Sequence, residues 1–144
     1  MKSCLFPLSL VVFGILLGCD GVKEFPRAQV TGRVMCEGKP VPKTLVTFEV
    51  KRTSDSGLVG QLGTAVTDEE GKFVVSTYGD KDGAVIGKHM IRVGKTETTP
   101  SCNCAINDMT VQMEIDVTEK GPNNFEIALE KKSAKNKDGV IEKE

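Results

Sequence analysis

Cys36, Cys102 and Cys104 are the side chains of this chain best suited to covalent or metal chemistry. Thiols at such positions either close a disulfide or, as thiolates, ligate a soft metal. Cys36 shares the inward parity of Val30 and Val34, whereas Cys102 and Cys104 flank Asn103 in a polar stretch. A bridge from Cys36 to one of the pair closes a segment of about 65 residues and contributes about 2–4 kcal/mol when unstrained. A bridge within Cys102-Asn103-Cys104 is the alternative, although extended neighbours hold its two sulfurs badly. Either way an odd count leaves one thiol over. Adding the single histidine, His89, makes a Cys₃His set suited to zinc or monovalent copper. No second half of a known ligand spacing accompanies this Cys-x-Cys, and His89 lines up with Ile91 and Val93, as at the edge of a strand. A structural disulfide is therefore the first expectation, and no cofactor is expected.

Other chemistry finds little to build on. The chain has no Trp, one Tyr (Tyr78) and one His, so aromatic platforms and histidine acid–base sets are both scarce. A Ser–His–acid triad through His89 has no Gly-x-Ser-x-Gly elbow to present its nucleophile. Asp80-Lys81-Asp82-Gly83 has the start of a calcium loop, but the bidentate Glu required at position twelve falls on Ile91. Asp68, Glu69 and Glu70 read as a solvated hairpin. A net charge of −1 over 144 residues gives no reason to expect nucleic acid as a partner. The balance points to a protein that is not an enzyme.

The elements around these residues follow a period of two. Val46, Phe48 and Val50 alternate with Thr47 and Glu49, and Val111, Met113, Ile115 and Val117 with Gln112, Glu114 and Asp116. Phe125, Ile127 and Leu129 alternate with Glu126 and Ala128. Such alternation lays one face of each strand on a core and the other in water. Strands are expected near 28–36, 43–52, 61–67, 72–78, 87–95, 109–117 and 124–132. Glu37-Gly38-Lys39-Pro40, Asp68-Glu69-Glu70-Gly71, Gly79–Gly83 and Gly121–Asn124 separate them, with Gly71 available for a positive φ and Pro42 keeping its link extended and unpaired. The expected fold is all-β: a seven-stranded, two-sheet antiparallel sandwich, with a closed barrel as its rival.

Val30-Thr31-Gly32-Arg33-Val34, Gly38-Lys39-Pro40-Val41-Pro42 and Val46-Thr47-Phe48 together resemble the opening of a carboxypeptidase-regulatory-like domain. Thr67-Asp68, Gly71-Lys72-Phe73, Gly83-Ala84, Gly87-Lys88-His89, Ile91-Arg92-Val93 and Asn124-Phe125-Glu126-Ile127 continue that resemblance to about residue 130. It implies the transthyretin-like (prealbumin-like) sandwich and specifies a fold better than an activity. Enzymes on related sandwiches use more than this chain holds. Intradiol dioxygenases bind iron with two tyrosines and two histidines, against Tyr78 and His89 alone. The transthyretin-related hydroxyisourate hydrolases need several histidines and a C-terminal tetrapeptide ending in Ser.

The amino-terminal end gives the address. Lys2 precedes an apolar run from Leu5 to Leu17, and Gly18 then Cys19 follow. That run is 13 residues, short of the roughly 20 apolar residues a spanning helix needs. Leu16-Leu17-Gly18-Cys19 resembles the lipobox of bacterial lipoproteins, which implies cleavage between Gly18 and Cys19 and lipidation of Cys19. A plain secretory signal cut elsewhere is the rival. The expected organisation is a signal peptide over 1–18, a lipidated tether over 19–27, the sandwich over 28–132 and a charged, flexible tail over 133–144. Asp20 resembles the residue that retains some lipoproteins at the inner membrane. The chain is thus expected to be exported and lipid-anchored to a bacterial membrane, on its periplasmic or cell-surface side. There it would act as a non-catalytic binding or structural module for an envelope protein or polysaccharide. The alternative is a small metal-handling lipoprotein using Cys36, Cys102, Cys104 and His89.

Overall fold

The strand-forming alternation of the sequence is realised as ten strands among the described residues, 24–51 and 60–132, of a computed structural model. In chain order they are β1 (Arg27–Ala28), β2 (Thr31–Cys36), β3 (Lys39–Pro40), β4 (Thr44–Val50), β5 (Gly63–Val66), β6 (Lys72–Val74), β7 (Ala84–Val85), β8 (Gly87–Lys95), β9 (Asn107–Val117) and β10 (Asn124–Leu129). There is no helix among the described residues. The expected signal peptide, Cys19 and Asp20 lie outside them, as does the expected tail over 133–144.

One four-stranded sheet runs β5–β4–β8–β9, antiparallel throughout. A second places β2 between β10 on one side and β3 with β6 on the other. β1 and β7 form a small two-stranded sheet. The seven expected segments all carry a strand. The three two-residue strands β1, β3 and β7 are additional, being too short to show a period. One pairing departs from the antiparallel expectation: β10 runs parallel to β2, from Asn124 opposite Thr31 to Leu129 opposite Cys36. Alternation sets which face a residue takes but not the direction of the neighbouring strand.

A single apolar cluster joins the two larger sheets. Val30, Val34, Phe73 and Ile127 meet Val46, Phe48, Ile91 and Val93, all buried. Phe48 and Phe73 close the space between the layers edge to face, with ring centroids 6.0 Å apart. The result is a β-sandwich-like all-β body.

Turn chemistry fixes the register. Glu37 (φ 50°) and Gly38 (φ 76°) both take positive φ, as a tight two-residue hairpin from Cys36 to Lys39 requires. This pairs Lys39 and Pro40 with Cys36 and Met35, in a stretch expected only to break the chain. In the expected hairpin loop at Asp68–Gly71, the Asp68 carboxylate accepts the amides of Glu70 and Lys72, each at 2.9 Å, and Gly71 sits at φ 71°.

Candidate functional site

Cys36 ends β2 facing inward, and the β2–β3 hairpin holds it beside the loop between β8 and β9. Its sulfur is bonded to Cys104, with Cα atoms 5.8 Å apart across a separation of 68 residues. The loop is stitched down next to this bond. Ala105 N–H donates to the Glu130 carbonyl at 2.8 Å, and Lys132 N–H to the Asn103 carbonyl at 2.9 Å. Cys104 is fully buried, and Cys102 is the free thiol, half-buried. The disulfide expected from Cys36 to one of the loop cysteines is thus present, and Cys104 is the partner.

A cleft of about 360 Å³ opens beside the bond, lined in part by Cys36, Cys102, Asn103, Pro40, Pro42 and Pro100. Buried threonines brace its floor. Thr44 and Thr67 hydroxyls both donate to the Val41 carbonyl, at 3.0 and 2.8 Å, and the Thr67 hydroxyl accepts the Thr44 amide at 2.9 Å. At the rim, Glu37 pairs with Lys131 at 2.9 Å, which holds the Glu37 carboxyl below its usual range.

The Cys₃His set is not assembled. Two of its three sulfurs are spent in the disulfide, and no three His, Cys, Asp or Glu cluster as a metal would need among the described residues. His89 corrects an expectation as well. It lines up with Ile91 and Val93, but β8 lies between β4 and β9, so the ring is fully buried rather than at an edge. Its Nε2 bonds the Val85 carbonyl at 2.7 Å, its Nδ1 has no hydrogen-bond partner among the described residues, and its ring packs T-shaped against Phe48. Desolvation pushes its pKa down, outweighing the opposing pull of the Val85 carbonyl. A neutral imidazole filling the core is a packing group.

Asp82, in the stretch weighed as a calcium loop, has an internal use. Its carboxylate accepts the amides of Thr77, Tyr78 and Gly79 at 2.7, 3.1 and 2.8 Å and pairs with Arg27 at 3.0 Å. Burial alone would raise its pKa. The three amides and the guanidinium more than reverse this, holding it below the ordinary carboxylate value.

A second concavity, not foreseen from the sequence, lies on the β10–β2–β6 sheet and measures about 470 Å³. Three registered rows build it. Phe125, Gly32 and Phe73 cross the middle, Asn124, Thr31 and Val74 form one flank, and Glu126, Arg33 and Lys72 form the other. The middle row turns its side chains coreward. A methyl group on Gly32 would stand 2.3 Å from the Phe125 carbonyl oxygen and 2.4 Å from the tip of the Phe73 ring. The floor of the trough is therefore backbone. The signal for it in the sequence was Gly32, which occupies a core-facing position among valines.

No protein-family model, curated protein or solved structure matches this chain.

Proposed function

We propose that this chain is a membrane-anchored lipoprotein of the cell envelope whose β domain is a non-catalytic binding or structural module. On this reading residues 1–18 are the signal peptide, Cys19 carries the lipid, and 19–27 tether a transthyretin-like, carboxypeptidase-regulatory-like sandwich over 28–132. The observation that carries the proposal is the Cys36–Cys104 disulfide. Such bonds persist in oxidising, exported compartments, which agrees with the address written in Leu5–Cys19. Two four-stranded sheets closing on one core favour the sandwich. The two surface concavities, beside the disulfide and across β10, β2 and β6, are where such a module would meet a partner. Residues 133–144 would add a charged tail.

The test is Cys19→Ser in the natural host. Wild-type protein should incorporate labelled palmitate and partition into detergent, and the variant should do neither. Envelope pull-down with the wild type should recover a reproducible protein or polysaccharide partner. Equal partitioning of the two forms, or an empty pull-down, would count against the assignment.

A further inference from the structure

The trough across β10, β2 and β6 holds an arginine, Arg33, placed unlike the other arginines of the described residues. Of the three arginines in the described residues, Arg27 is paired with Glu24 and Asp82, and Arg92 with Glu49 at 3.0 Å. Arg33 is half-buried and has neither ion pair nor hydrogen bond among the described residues. It lacks one even though Glu126 and Lys72 stand in register on either side of it. Lys72 is itself tied to Glu70. A guanidinium partly withdrawn from water with five N–H donors unused is a receptor for a carboxylate, which it grips two-pronged. The opposite flank offers the Thr31 hydroxyl and the Asn124 amide, two residues along each strand and so about 7 Å away.

We propose that this trough binds a uronate unit of an acidic polysaccharide, with Arg33 taking the carboxylate and Thr31, Asn124 and Glu126 taking ring hydroxyls. This deepens the binding-module reading and rests on it. The spacing suits one flat sugar ring lying over the Gly32 backbone. Two other ligand classes fit less well. A peptide adding as a strand needs unpaired backbone groups, and in β2 these are used by β6 on one side and β10 on the other. Inorganic phosphate offers Arg33 the same grip but is too small to reach the Thr31 and Asn124 side chains about 7 Å along the strands.

The experiment is calorimetric titration of the mature, full-length chain in detergent with tetragalacturonate, its fully methyl-esterified form, a peptide with a free C-terminal carboxylate, and inorganic phosphate. The acid form should bind, and the ester, lacking the charge, should bind at least tenfold more weakly. Arg33→Ala should weaken uronate binding about tenfold or more while leaving the thermal midpoint nearly unchanged. Glu126→Gln, which removes the like charge and keeps an oxygen that can accept from a ring hydroxyl, should tighten binding of the acid form, and weaker binding would overturn the placement of Glu126. No measurable binding at millimolar tetragalacturonate would overturn the proposal, as would affinity indifferent to Arg33→Ala. Arg33-dependent binding of the peptide or phosphate as tight as that of the sugar would overturn the uronate assignment. Because these titrations do not depend on the acyl group, a failure here is distinguishable from a failure of the lipid anchor.

Discussion

Three cysteines within reach of one cleft end in different states, and the difference can be measured. Iodoacetamide without reductant should modify Cys102 and spare Cys36 and Cys104, and reduction of the unfolded chain should open both to label. Label on Cys36 in the native protein would contradict the pairing. Gly32 is the residue whose change should be felt most for its size. The methyl group of Gly32→Ala meets backbone on one side and an aromatic ring on the other. Such overpacking costs about 1–3 kcal/mol, readable as a lower urea midpoint. His89 sets a pH dependence. Its folded pKa lies below the unfolded value of about 6.5, so the native state binds fewer protons than the unfolded one. Its contribution is present above pH 6.5 and lost as the pH falls below it. Urea midpoints between pH 7 and 5 should fall for the wild type and flatten in His89→Leu. The inward parity of Cys36 was legible because Val30 and Val34 set it. Which loop cysteine it would meet was not, since Cys102 and Cys104 share a parity and only the backbone bonds to Glu130 and Lys132 select between them.

At the scale of elements, the disulfide ties the β2–β3 hairpin to a loop that otherwise rests on few backbone bonds. Replacing Cys36 and Cys104 together by alanine should lower stability by about 2–4 kcal/mol and speed amide exchange in the segment from Thr96 to Ile106 before the rest of the sheet. Uniform exchange would mean that the bond does not hold the loop. The long strands were readable because each puts several apolar residues on one face, as Val46 and Phe48 do in β4 and Ile91 and Val93 in β8. Two facts about neighbours were not readable. The parallel run of β10 beside β2 and the central place of β8 both depend on which strand arrives next to which, and an alternating segment looks the same at an edge and inside. His89 was therefore placed on the right face and at the wrong depth. The trough was hidden for the same reason, because Arg33, Lys72 and Glu126 are far apart in sequence and meet only through strand pairing.

In the proposed role the whole molecule would join an amino-terminal lipid anchor to the disulfide-clipped body, and that role needs both. The proposed uronate trough lies on the outer side of a sheet and is built from strand residues of β10, β2 and β6, whereas the cleft beside the disulfide is lined largely by loops. Mass spectrometry of the intact mature protein from its natural membrane, without reduction, tests the central claim most directly. A chain beginning at Cys19, heavier by its acyl groups and lighter by the two hydrogens lost between Cys36 and Cys104, is the predicted spectrum. A chain that begins elsewhere with no acyl mass would contradict the membrane anchor, and one with both hydrogens retained would contradict the clip.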